Sequence, residues 1–167
     1  MKKRRMKWNW LILIFGMAMF LVACQKTTET EKQVDMDRLQ KQLLEADTTL
    51  PEMIAVTSEE ENAELNFSAL CDFSYDRVEN YFYLYAEDGT APEIAVVELK
   101  DASDAAALMM DIKEHAANRE GTMQSYMPDQ VEIVHAYILT YDGPYVLYAV
   151  GEQNGMVQKA FEAAFEE

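Results

Sequence analysis

Side chains that bind soft metals are scarce, with two cysteines (Cys24, Cys71) and two histidines (His115, His135) in 167 residues. A zinc or iron site draws several ligands from that pool, so the supply is too poor, and no metal and no cofactor is expected. Glycine is equally thin, at six residues, and no Gly-x-Ser-x-Gly elbow, Walker loop or Gly-x-Gly-x-x-Gly fingerprint occurs. That removes the commonest sequence-readable hydrolase and nucleotide sites. Lysine and arginine number 14 against 30 acids. Phosphate binding needs clustered cations, so nucleic acid is excluded as a partner. Long apolar runs are missing too. The longest, Trp8 to Leu21, has 14 residues, short of the roughly 20 that span a bilayer core.

What is present starts at that run. Lys2, Lys3, Arg4, Arg5 and Lys7 precede it with no acid among them, and Leu21-Val22-Ala23-Cys24 follows. A basic n-region, a short h-region and small residues before a cleavage point are the marks of a secretory signal, here residues 1–23. Leu-Val-Ala-Cys resembles the bacterial lipobox, which implies that Cys24 carries acyl chains such as palmitate and begins the mature chain. The expected location is therefore the cell membrane, with the domain lipid-anchored on its extracytoplasmic side. Loss of residues 1–23 takes five of the cations and leaves 144 residues with a formal charge of −21. Such a surface is repelled by anionic headgroups within about 8 Å. The anchor must therefore be the lipid at Cys24, where two chains hold far longer than one. A lipidated Cys24 leaves Cys71 without an intramolecular partner, and a lone thiol in an oxidising space is expected to be buried and inert.

Residues 24–33 contain the anchor and Gln-Lys-Thr-Thr-Glu-Thr-Glu-Lys-Gln, a run without apolar side chains that reads as a solvated tether. Residues 34–167 are expected to form one domain. Met36, Leu39, Leu43 and Leu44 predict a helix near 35–47, ended by Pro51. Residues 48–72 carry no clear pattern. Tyr81-Phe82-Tyr83-Leu84-Tyr85 and Ile94 to Leu99 flank Glu87-Asp88-Gly89 and predict a strand pair. Asp101 and Asp104 form a capping arrangement ahead of a helical stripe of Ala105, Leu108, Met109, Ile112 and Ala116, expected to end near Gly121. Pro128 begins a short turn of helix over 129–134. Tyr137 to Tyr141 and Tyr145 to Val150 flank Asp142-Gly143-Pro144 as a second hairpin. A last helix runs from about Gly155 to Phe165. The sum is an α+β domain with a mainly antiparallel sheet of about four strands, in two hairpins, and helices packed on one face.

Glu93-Ile94-Ala95-Val96-Val97, Lys100-Asp101, Tyr126-Met127-Pro128-Asp129-Gln130 and Gly143-Pro144-Tyr145-Val146-Leu147, in this order, resemble the bacterial envelope family called domain of unknown function 4358. The resemblance spans roughly residues 35–165, and members are commonly small lipoproteins. It implies the same fold and address. Its motifs are strand, cap, turn and hairpin, so it brings no catalytic residue.

Candidate chemistry is sparse. His115, three residues after Ile112, falls near the expected helix end, where a cationic imidazole suits the C-terminal dipole. His135 borders a predicted strand and has no sequence-near acid or nucleophile pairing that would make it a general base. Asp35-Met36-Asp37 and Glu87-Asp88-Gly89 lack the alternating acids and distal Glu of an EF-hand. A glycosidase-like carboxylate pair is defined in space rather than in sequence. Thirty acids do not single one out. Alternation puts Tyr81, Tyr83 and Tyr85 on one sheet face and Phe82 and Leu84 on the other. These tyrosines are the candidate ligand-binding residues, since each joins apolar area to a hydroxyl; the alternative is that they line the layer between sheet and helices. The function expected is a lipid-anchored, non-enzymatic module that binds an envelope protein, peptide or glycan. The alternatives are an envelope hydrolase with carboxylates assembled by the fold, and a purely structural envelope protein.

Overall fold

The computed structural model describes residues 33–166. The expected signal peptide, Cys24 and all of the tether but Gln33 lie outside the described residues. Among the described residues no helix is long and apolar enough to cross a membrane.

Helix α1, Met36–Ala46, forms where the spacing predicts it: the Asp35 carboxylate accepts from Arg38 N at 3.0 Å, and Met36, Leu39 and Leu43 are its buried face. The stretch without a clear pattern holds strand β1, Met53–Thr57, and the short helix α2, Ala63–Phe67. Strands β2, Val78–Ala86, and β3, Glu93–Leu99, form the first hairpin. Their turn needs a left-handed residue, supplied by Gly89 at φ +77°.

Helix α3, Ala105–Tyr126, runs past the expected stop at Gly121. Gly121 does not take positive φ, and Met123 beyond it is buried, so packing carries the helix on. Pro128 ends it instead: Met127 before it sits at φ −142°, ψ 70°, out of the helical region that a following proline disfavours. Helix α4, Val131–His135, leads to the second hairpin, β4, Ile138–Asp142, and β5, Tyr145–Val150, and helix α5, Asn154–Glu166, follows.

The α+β class and the antiparallel sheet hold, with five strands rather than four, in the order β1-β2-β3-β5-β4. The hairpins join through β3 and β5, and β1 adds to the outside of β2. The expectation that helices lie on one face is corrected. Phe82, Leu84, Ile94, Val96 and Leu147 pack with α1 and α5, while Tyr81, Tyr83, Ala95, Val97 and Tyr148 pack with α2, α3 and α4. The cause is readable in β5, whose six consecutive residues are all buried. A strand without polar alternation is covered on both sides.

Candidate functional site

The α3 face of the sheet contains a charge. Glu93, the first residue of β3, is only 2 % exposed, and burying an unpaired carboxylate is prohibitive. The register explains how it is satisfied. Tyr83, Ala95 and Tyr148 lie in one row across β2, β3 and β5, and Tyr85, Glu93 and Val150 in the next row but one. Ala95 is small, so the two flanking tyrosines reach diagonally toward the carboxylate, within range of aromatic side chains. Tyr83 donates to Oε1 at 2.8 Å and Tyr148 to Oε2 at 3.3 Å.

Helix α3 closes the cluster from above. His115 and Arg119 are four apart and share a helix face. His115 Nε2 lies 2.9 Å from Oε2, and Arg119 Nε 2.9 Å from Oε1. The Arg119 contact is ionic: its buried Nε–H is not aligned on the oxygen and has no hydrogen-bond partner. Arg119 Nη2 donates to the Thr90 carbonyl at 2.8 Å, which fixes the other end of the guanidinium to the β2–β3 turn. The His115 ring also meets Tyr83 and Tyr148 edge-on, at 6.3 and 5.8 Å between centroids.

Burial pushes the Glu93 carboxyl up, but the hydrogen bond and charge of His115, the Arg119 cation and the Tyr83 hydroxyl outweigh it and hold the group below its ordinary 4.5. Burial, and then the Glu93 charge, raise the Tyr83 and Tyr148 hydroxyls. Both therefore stay neutral donors. The dipole reading of His115 is corrected: α3 continues eleven residues beyond it, to Tyr126, and the imidazole is held by Glu93 instead. His135 is at the surface, Nδ1 3.5 Å from Glu120 Oε2 and 72 % exposed.

Two clefts flank the cluster. One of about 370 Å³ is lined by Val56, Asn66, Tyr83, Tyr85, Glu93 and Arg119, among others. The other, about 190 Å³, lies on the His115 side and includes Ser68, Cys71 and Asp111. Of the candidate tyrosines, Tyr83 and Tyr85 meet at the first cleft, their rings 5.5 Å apart. Tyr81 does not reach it. It is 1 % exposed, donates to the Ala63 carbonyl at 2.7 Å and packs edge-on against Phe67. Tyr85 remains half-buried, with its ring partly open to the cleft.

The Glu93–His115 bond is the orienting half of an acid–base pair, and a nucleophile for it would come from the smaller cleft. Cys71 is buried and free, as expected. Burial above all, with Asp111 and Asp72, pushes its thiol up to about 11 against a weaker backbone hydrogen bond at Phe73. Thiol chemistry needs the thiolate, and no cation supports it. The Ser68 hydroxyl is donated to the Leu65 carbonyl at 2.7 Å. Neither group is bonded to His115. Among the described residues no group of three His, Cys, Asp or Glu side chains is placed to hold a metal ion.

A family model described as Domain of unknown function (DUF4358) matches residues 52–151. No curated protein and no solved structure matches. The matched residues run from β1 to just past β5 and contain every member of the Glu93 cluster.

Proposed function

The chain belongs to the DUF4358 family, and from the site inside the matched segment we propose that it is a non-enzymatic binding module, lipid-anchored through Cys24 on the extracytoplasmic side of a membrane, whose ligand site is the Tyr83–Tyr85–Arg119 cleft. The anchor rests on the Leu21-Val22-Ala23-Cys24 motif. The observation that carries the binding reading is the state of the carboxylate. Glu93 has both oxygens engaged by four side chains, so it serves as a fixed counter-ion and is not free to take a proton from a substrate. What it fixes is a guanidinium at the cleft wall beside an accessible tyrosine. Concave sites of this kind, part apolar with a few placed polar groups, are the common form of a ligand pocket.

The hydrolase alternative requires two cooperating acids. The buried acids among the described residues are Glu93 and Asp47, and they hold separate partners: Asp47 accepts from Thr49 N and Gln153 N. That weighs against a carboxylate pair.

A photo-crosslinking residue at position 85, in the intact chain in living cells, is expected to give a discrete adduct, whereas one at exposed Tyr141 on the far edge strand is not. Adducts at 141 and none at 85 would remove the cleft from the reading. Cys24→Ser is expected to lose fatty-acid labelling and membrane association together; retained labelling would defeat the anchor.

A further inference from the structure

The donors left over in the cleft say what kind of ligand completes it. Resting on the binding reading, we propose that the cleft takes a peptide ending in a free carboxylate, with the carboxylate on the outer edge of the Arg119 guanidinium and the last side chain against Tyr85 and Val56. Arginine offers five N–H donors in a rigid fork that matches a carboxylate. In Arg119, Nη2 donates to Thr90 and Nε faces Glu93 off line. Among the described residues no acceptor engages Nη1, and the side chain is 21 % exposed. Among the described residues the Tyr85 hydroxyl likewise has no protein acceptor, and Tyr85 and Arg119 line the same cleft. A ligand that brings acceptors is what they fit.

Charge narrows the choice. Arg119 is the cation of the cleft wall, and Glu93 beneath it is turned inward to its own donors, so the guanidinium's free edge is the positive feature a ligand meets. Glu87, exposed on the rim, disfavours polyanions and phosphate dianions while tolerating a single carboxylate. A peptide fits better than a sugar acid because of the sheet edge. Strand β1 contributes Val56 to the cleft and, among the described residues, pairs on one side only, with β2. An edge strand offers main-chain groups to an extended chain. The volume, about 370 Å³, suits the last two or three residues of such a chain.

The test is titration of the full-length chain in detergent micelles with N-acetyl-Ala-Ala as the free acid and as its amide, followed by calorimetry and by amide NMR shifts. The acid is expected to bind at least ten-fold tighter than the amide and to shift residues around Tyr85, Thr90 and Arg119. Arg119→Lys keeps a cation opposite Glu93 but removes the fork and the bond to Thr90, and should weaken the acid about ten-fold in a chain that circular dichroism shows to be folded. Should that variant fail to fold, the acid–amide comparison on the wild-type chain decides alone. Equal affinity for acid and amide overturns the ligand class. So does acid binding that Arg119→Lys, folded, leaves unchanged. If neither peptide binds while position 85 still crosslinks a partner in cells, the carboxylate assignment falls and the binding reading survives. If position 85 also captures nothing, both fall.

Discussion

Replacing Glu93 by glutamine removes one charge and almost no volume. The amide oxygen can still accept from Tyr83, whereas an amide nitrogen in place of Oε2 faces His115 and the Tyr148 hydroxyl, which loses its acceptor. The larger loss is in the Arg119 contact. Removing one partner of a buried ion pair costs about 3–5 kcal/mol, because the other charge stays buried. Arg119 is 21 % exposed, so water reaches part of it and the low end, about 3 kcal/mol, applies. For a domain of this size each kcal/mol moves the midpoint by about 3–5 °C, so Glu93→Gln should melt about 10–15 °C lower by circular dichroism. The pH dependence carries the sign. Glu93 is held below its ordinary 4.5 when folded, so its contribution is complete above that value and lost as pH falls through the lower folded one. The gap between wild type and Glu93→Gln should therefore narrow as pH falls below the ordinary 4.5. A loss under about 1 kcal/mol at pH 7, or a gap that widens in acid, would refute the ion-pair account.

Two further outcomes follow from close packing and from burial. A Cβ at Gly151 would sit 2.6 Å from Asp47 Oδ2, and Asp47 cannot retreat because Thr49 N and Gln153 N hold its two oxygens at 2.9 and 3.1 Å; Gly151→Ala should cost about 1–3 kcal/mol, read as a lower urea midpoint at unchanged slope, and an unmoved midpoint would contradict the contact. With its thiol raised to about 11, Cys71 has about a thousandth of its sulfur ionised at pH 8, so in a Cys24→Ser background Ellman's reagent should label the unfolded chain fully and the native one negligibly. Prompt native labelling would show that the thiol is open.

Helices α1, α3 and α5 and both hairpins were legible because each repeats its pattern several times over. Leu39 and Leu43, Leu108 and Ile112, and Val157 and Phe161 mark buried faces at helical spacing. Strand β1 and helix α2 were not, since each is five residues long and they flank the polar run Ser58 to Asn62. Five residues complete barely one helical repeat or two strand repeats, too few for periodicity to declare itself. The second helical layer has its signal in β5, whose unbroken apolar run requires two covered faces, whereas the tyrosine alternation in β2 resembles that of a sheet covered on one side.

The site was hidden for a different reason, although a signal existed. Seven residues beyond Leu108 is His115, and seven beyond Ile112 is Arg119, so both ionisable residues lie on the apolar stripe of α3. A charge on a buried stripe requires a partner, and the sheet beneath offers Glu93 at the head of β3, ahead of the apolar run Ile94 to Val97. Which acid among thirty answers is a matter of register, and register depends on β3 pairing with both β2 and β5, a non-local fact. The energetics then favour a positioning role for the cluster. A buried ion pair is a poor source of stability, since well-packed apolar side chains of similar volume are often as good or better. What Glu93, His115 and the two tyrosines achieve that leucines would not is to fix a guanidinium, tied at its far end to Thr90, on the wall of a cleft. A preorganised cation forms its bond to a ligand without first giving up the freedom of a long side chain, and that advantage exists only when something binds.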